Sequence, residues 1–244
     1  MYLYYIYHSG FAIEGKQAVV IIDFWEDSTD ALHGIVHDEL LRHTDKKIYV
    51  LSTHFHPDHF NREILSWKDI NPNITYILSK DILKHRKADI NDGTFLRKGD
   101  TYDDGVLKVK AYGSTDSGDS FFIQLEGHTF FHAGDLNNWH WIDQSTPQEV
   151  KKAEGDFLGE LKYIRADIDK VDVTMFPVDR RIGTDYSKGA KQFLETIKST
   201  IFVPMHFSLD YEGGNAFEGE AQRQGSKFIV IHHRGEKFEL TNLY

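Results

Sequence analysis

Short apolar runs separated by turn signals open the chain. Residues 2–8, 11–14 and 18–23 are rich in Tyr, Ile, Val and Phe and are broken at Ser9-Gly10 and Glu14-Gly15-Lys16, which predicts three successive strands. Leu32, Ile35, Val36, Leu40 and Leu41 recur at partly helical spacing and predict a helix over 28–42. A strand at 47–52, a short helix at 61–67, a strand at 74–78 and a helix at 80–87 follow. The next stretch is β-rich, with strands expected at 94–97, 106–112, 120–126 and 128–132, and Glu126-Gly127 turning the last pair into a tight hairpin. Thr146-Pro147-Gln148-Glu149 marks a helix start, with Thr146 as cap, Pro147 in the first turn and Glu149 closing a capping box. Val150, Ala153, Phe157, Leu161, Ile164 and Ile168 continue it at helical spacing, while Gly155 and Gly159 weaken it and predict a kink. A strand at 171–176, a helix at 187–198, a strand at 200–204 and a final pair at 227–231 and 237–240 complete the pattern. Two strand-rich sets, each accompanied by helices, predict an α/β layered sandwich rather than an alternating doubly wound sheet. With no repeat, low-complexity tract or linker, one domain over residues 1–244 is expected.

Composition narrows the function. Aromatics make up 14% of the 244 residues, enough for a substantial core. No apolar run reaches the length of a membrane span, and the aromatic start lacks the basic region of a signal peptide, so a cytoplasmic protein is expected. There is no cysteine, which excludes disulfides, thiolate ligands and a cysteine nucleophile. The net charge of -10 disfavours nucleic acid as a partner and favours a small molecule; a homo-oligomer is compatible with the pattern. The 14 histidines direct attention to metal chemistry.

His54, His56, Asp58 and His59 lie within six residues directly after a predicted strand. Alternate side chains of an extended segment share a face, so His54 and His56 can meet one ion. Pro57 bends the chain and lets Asp58 and His59 aim at a second point. Imidazoles with a carboxylate suit Zn, Mn or Fe. A loop of this length cannot complete a two-metal site, so further ligands must come from other strand ends.

His54-x-His56-x-Asp58-His59, Phe131-His132-Ala133-Gly134-Asp135 and Val203-Pro204-Met205-His206 together resemble the metallo-β-lactamase-fold hydrolase superfamily in order and spacing. His8-Ser9-Gly10-Phe11 followed by Ile22-Asp23 is similar to its short members related to the L-ascorbate-6-phosphate lactonase group. The resemblance implies a four-layer αββα sandwich of two mixed β-sheets with helices outside and a dinuclear site of two divalent ions at one edge. It implies that His54 and His56 bind the first ion, Asp58 and His59 the second, that Asp135 bridges both and that His206 completes the second. A water between two such cations is acidified and becomes the nucleophile. The expected substrate is a small, anionic ester, lactone or phosphoester. A phosphodiesterase or nuclease, and a non-catalytic metal- or ligand-binding module, are the alternatives.

The chain departs from this pattern in one place. The superfamily usually has a further histidine on a loop after a strand, where this chain reads Ala111-Tyr112-Gly113-Ser114-Thr115-Asp116-Ser117-Gly118-Asp119. Either Asp116 replaces the imidazole with a carboxylate, or Ser114 or a water fills the position weakly, or the first site is vacant. Around this set, Asp23 is expected to orient ligands from behind, and His8 to approach the edge of the site. His132 is expected to be structural. Asp58 and His140 are the candidate catalytic groups, His140 as proton donor to a leaving group. Trp139 is expected to wall the substrate pocket, Arg180 and Arg181 to hold an anionic substrate, and residues 211–215 to form a flap over the site. No ligand is expected at His232-His233.

Overall fold

In the computed structural model, which describes residues 1–43 and 45–240, the strands form two seven-stranded sheets. Residues 44 and 241–244 of the expected 1–244 domain lie outside the described residues. The first sheet places β1 (Tyr2–Tyr7), β2 (Gly10–Glu14), β3 (Ala18–Ile22), β4 (Lys47–Ser52), β5 (Ile74–Ser79) and β6 (Thr94–Leu96) side by side in chain order. The second does the same with β7 (Thr101–Asp103), β8 (Leu107–Gly113), β9 (Asp119–Leu125), β10 (His128–His132), β11 (Lys170–Pro177), β12 (Lys198–Met205) and β13 (Lys227–Phe228). The last strand, β14 (Glu236–Glu239), returns to pair antiparallel with β1. Each sheet begins with antiparallel pairs and ends with parallel ones: β3 to β6 are parallel in the first, β10 to β13 in the second. Both sheets are therefore mixed, as expected.

Strand alternation explains the layering. Leu3, Tyr5, Phe11, Ile13, Val20, Ile22, Tyr49, Leu51 and Ile77 face the second sheet and join the main core. Their neighbours Tyr4, Ile6, Ala12, Val19, Ile21, Ile48, Val50, Tyr76 and Leu78 face outward, where Val36, Leu40, Leu41, Ile64, Trp67 and Ile82 cover them. A strand buried on both faces reads as a continuous apolar run. The outer face of the second sheet is covered by α3 (Pro147–Arg165) and α4 (Lys188–Thr196) through Phe157, Leu161, Ile164, Phe193 and Leu194. The result is the four-layer αββα sandwich. No helix of the described residues is long and apolar enough to cross a membrane.

Some elements differ from expectation. The helix over 28–42 reduces to α1 (Ile35–Asp38) and a 3-10 turn at Leu40–Arg42. Asp27 takes the backbone N–H groups of Ser28, Val36 and His37, Asp30 takes those of Leu32 and His33, and Gly34 adopts φ 146°. These side-chain acceptors compete with helix hydrogen bonds and win, and Leu32 is left exposed. The short helix expected at 61–67 is a 3-10 helix, Arg62–Asp69. The helix expected at 80–87 is α2 (Lys80–Lys84). The helix from Thr146 has its capping box but no interruption, because Gly155 and Gly159 face open space. The Glu126-Gly127 hairpin forms with both residues at positive φ. Strand β7 and the helix α6 (Glu218–Arg223) carried no signal strong enough to predict, and the expected flap is a helical turn, α5 (Tyr211–Asn215).

His37 ties α1 to the 3-10 helix: Nδ1 lies 2.7 Å from Asp27 and Nε2 2.5 Å from Glu63. The Asp27 hydrogen bond, opposed by burial and helped by Glu63, raises the His37 pKa above its usual value. A raised histidine pKa contributes stability that is complete below the unfolded value, about 6.5, and is lost as pH rises through the folded value. In urea unfolding, the stability gap between wild type and His37→Gln is expected to be largest below that pH and to shrink at alkaline pH. A gap that grows with pH contradicts this assignment.

Candidate metal centre

The ends of the parallel strands meet along one edge of the sandwich, and the segments leaving them carry the polar residues. Asp23 follows β3, His54 to His59 follow β4, Asp135 follows β10, Asp179 follows β11 and His206 follows β12. His8, after β1, arrives at the same edge. His8, Asp23 and His206 all adopt positive φ, so each strand turns sharply as it delivers its side chain. Non-glycine residues held there cost about 1–3 kcal/mol each and cluster at functional sites. Gly134 is at φ 54°, and a Cβ there would stand 2.9 Å from Thr53. The close approach of the Asp135 loop to the histidine loop thus requires glycine before the aspartate.

Asp135 is the centre of the cluster. Its Oδ2 lies 3.2 Å from His54 Nε2, and its Oδ1 lies 3.0 Å from His59 Nε2 and 3.3 Å from His206 Nε2. His56 Nδ1 is 3.0 Å from His54 Nε2. Two donor groups result, one of His54, His56 and Asp135, the other of His8, Asp58, His59 and His206, each within 4.8 Å. His59 Nε2 and Asp135 Oδ1 are buried with no formed hydrogen bond. Buried polar atoms are normally paired, and imidazole nitrogens gathered around carboxylate oxygens are the donor types of a divalent cation site. The residues present therefore fit a divalent metal centre.

The surrounding residues fix these donors. Asp23, fully buried, accepts from His59 Nδ1 at 2.7 Å and from the Thr53 backbone and hydroxyl at 2.7 Å each. This contact fixes the His59 ring from the side away from Asp135. Asp179, which the sequence flagged only as the neighbour of two arginines, does the same for His206 through Nδ1 at 2.9 Å. Its signal was its place two residues beyond the end of β11. His132 is held by Ser9 O and the Gly134 N–H, which makes it structural. Another residue missed by sequence reasoning is Asp119, pushed up to about 6 mainly by burial, which accepts from Ser79 and anchors its N–H on Thr53 O.

The electrostatics are those of a cation site. Burial alone would discharge His59 and His206, yet the charge of Asp135 outweighs it and raises both, His59 well above the usual value. Burial opposes the charge on Asp135 as well, but His59 and His206 hold it well below the carboxylate range. A field that draws protons onto buried imidazoles draws a metal cation equally. His8 goes the other way, lowered to about 4 chiefly by burial.

A cavity of about 290 Å³ opens onto the cluster, lined by Asp58, Thr115, Asp116, Asp135, Trp139, Trp141, Asp179, Arg181 and His206. Trp139 and Trp141 stack with ring centroids 6.3 Å apart and form one wall. Arg181 is fixed by Asp179 at the rim. Asp116 faces His56 Nδ1 at 3.8 Å and is half exposed, on a loop tied by Thr115 to Asn137. Ser114 does not line this cavity. Two expected residues are placed elsewhere. Arg180 points to Asp210 and Glu212. His140 is buried with Nε2 on Asp185 O and Nδ1 taking the Ile142 N–H, so both nitrogens are committed to backbone and neither reaches the cavity. His232 and His233 are exposed and turn to Glu236.

No protein-family profile matches the chain, and no curated protein matches it. Solved structures do. A metallo hydrolase from the archaeon Ignicoccus hospitalis, Igni18, superposes with a TM-score of 0.67 at 19% identity over 98% of each chain. YhfI of Bacillus subtilis, described as a metallo-β-lactamase fold protein, gives 0.66 at 12% identity over 98% of this chain and 99% of its own. CmlA of Streptomyces venezuelae, a diiron β-hydroxylase, gives 0.65 at 14% identity over 98% of this chain and 54% of its own. The chain has the metallo-β-lactamase fold.

Removing the Asp23 carboxylate strips His59 of its orienting partner and leaves the Thr53 N–H unpaired in the interior. Asp23→Ala is expected to cost about 3–5 kcal/mol in urea unfolding. A loss under about 1 kcal/mol, the scale of a surface ion pair, would contradict its structural role.

Proposed function

We propose that this protein is a metal-dependent hydrolase acting on a small anionic ester, lactone or phosphoester. The observation that carries the reading is the pair of donor groups that meet at Asp135, with buried His59 Nε2 and Asp135 Oδ1 facing each other at 3.0 Å and forming no well-aligned hydrogen bond. His54, His56 and Asp135 would hold one divalent ion, and Asp58, His59 and His206, with Asp135, would hold the other. Bound there, the ions supply Lewis acidity and lower the pKa of a water to near neutrality. The chain's own residues do the rest. Asp135 has two oxygens and serves both positions, which an imidazole with one free nitrogen cannot. Asp23 and Asp179 hold the imidazoles at the required tautomer and angle.

Asp116 is proposed to close the first site in place of the usual histidine. Its carboxylate is the ionisable group of the 114–119 loop that faces His56 and the cavity, and an oxygen donor there favours Mn or Fe over Zn. Half exposure makes this arm more adaptable than the buried imidazoles. Arg181 supplies the positive rim that holds the substrate's anionic group, and Trp139 with Trp141 supplies an apolar wall. Asp58 belongs to the second donor group and also lines the cavity, which supports a role for it in taking a proton from the reacting water.

Elemental analysis of the purified chain is expected to show two divalent ions per chain. Asp116→Ala should release one selectively, and His59→Ala should cost about a hundredfold or more in metal affinity, more than loss of an outer partner would. A panel of esters, lactones and phosphoesters should show turnover that is lost in His56→Ala. Full metal loading with no turnover across the panel would leave a binding module in place of an enzyme. Arg181→Met should raise KM for anionic substrates about tenfold, the worth of one charged hydrogen bond, with kcat little changed. An equal rise for neutral esters would remove Arg181 from substrate binding.

A further inference from the structure

His8 sits among the donors of the second ion site, yet its hydrogen bonds assign it a different task. The ring is buried and packs on His206 with centroids 4.3 Å apart, with the edge of Trp25 at 5.5 Å. Its Nδ1 lies 3.1 Å from the backbone nitrogen of Ser208, which points its hydrogen at it. A backbone N–H cannot reverse, so Nδ1 must offer a lone pair, and the one proton of the neutral ring is on Nε2. Nε2 lies 3.3 Å from Asp58 Oδ2, its nearest carboxylate oxygen, without forming a well-aligned hydrogen bond. A nitrogen carrying a proton has no lone pair for a cation.

We propose that His8 is not a metal ligand but a positioning residue, whose Nε2–H faces the Asp58 carboxylate at 3.3 Å while its Nδ1 and carbonyl pin the loop of His206. The backbone supports this directly, because the His206 N–H donates to His8 O at 3.0 Å while the Ser208 N–H goes to the ring. One residue thus clamps the loop after β12 at two points and reaches across to the loop after β4. The clamp is built with effort: His8, His206 and Ser208 all have positive φ. The His8 N–H is anchored in turn on the Tyr5 hydroxyl at 3.0 Å. The Asp58 oxygen that faces His8 also faces His59 Nε2 at 3.8 Å. A carboxylate oxygen has two lone pairs, so one can take the His8 hydrogen bond and the other an ion. The second site then draws its imidazoles from His59 and His206 alone, and is anchored to the first strand by a hydrogen bond instead of a coordination bond.

This inference rests on the metal reading only for its consequence, so the test separates the two. Ring nitrogen shifts and long-range proton–nitrogen correlations report the tautomer of His8 in the intact protein, first metal-free and then with zinc. His8 is expected to be protonated on Nε2 in both states, while His59 changes on zinc addition. A metal-free ring protonated on Nδ1, or a zinc-loaded ring with Nε2 metallated, overturns the proposal. If zinc moves neither His59 nor His54, the metal reading fails while the His8 tautomer still stands or falls alone. Cobalt titration gives a second readout. His8→Ala should retain the wild-type number of ions but bind the ion of the second site about 10–100-fold less tightly, the range for loss of a partner behind a ligand. His8→Gln, which keeps an N–H donor, should recover most of that loss with an unchanged ligand-field spectrum. Loss of one cobalt equivalent in both variants would make His8 a ligand.

Discussion

A carboxylate buried at the junction of two sheets requires positive charge around it, and Asp135 is that carboxylate. It stands at the end of β10 in the second sheet and faces His54 and His59 from the first. An anion withdrawn from water is costly unless paired and hydrogen-bonded. Three imidazoles converge on it, and behind them Asp23 and Asp179 hold two of the rings. Carboxylate, imidazole and carboxylate alternate outward from the centre. Removing any member leaves an unpaired charge behind it, so the site and the local fold stand or fall together.

The mixed topology makes that arrangement possible. Parallel neighbours β3, β4 and β5 in one sheet, and β10, β11 and β12 in the other, end at the same edge and release their loops together. Ligands in open α/β sheets gather at such carboxyl ends for this reason. Deep packing of β1 to β5 on both faces supplies the rigidity against which the strained turns at His8, Asp23 and His206 are held. The left-handed turns are unfavourable in isolation and persist because the surrounding hydrogen bonds over-determine them.

The two halves of the centre are unequal. On one side His59 and His206 are buried and held at their second nitrogens; on the other, His56 and Asp116 are partly exposed and lack such support. The fold itself does not choose between reactions. It is shared with a metallo hydrolase and with a diiron β-hydroxylase, whose chains resemble this one at under 20% identity. The local features of this site are a carboxylate, Asp116, facing His56, an arginine on the rim and a stacked pair of tryptophans on the wall.

Much of this was legible in the residues. Continuous apolar runs marked the strands because both faces of the first sheet are buried, and the His54 to His59 spacing marked the ligand loop because short-range backbone geometry decides which side chains share a direction. The layered architecture followed from the strand and helix pattern, and the meeting of His54 with Asp135 was implied by the resemblance to the metallo-β-lactamase-fold hydrolases. Other features depended on partners distant in sequence. Asp27 and Asp30 replaced a predicted helix by hydrogen-bonding loop amides, and His140 was turned onto backbone although it follows the key aspartate closely. Arg180 and Arg181 are adjacent yet diverge, one to Asp210 and Glu212, the other to Asp179. Asp179 and Ser208 acquire their roles only where β11 and β12 end beside His206 and His8. Side-chain periodicity determines which residues face the core, and is local. Which polar atom pairs with which is set by three-dimensional proximity and the cost of leaving buried groups unpaired, and only the tertiary structure decides it.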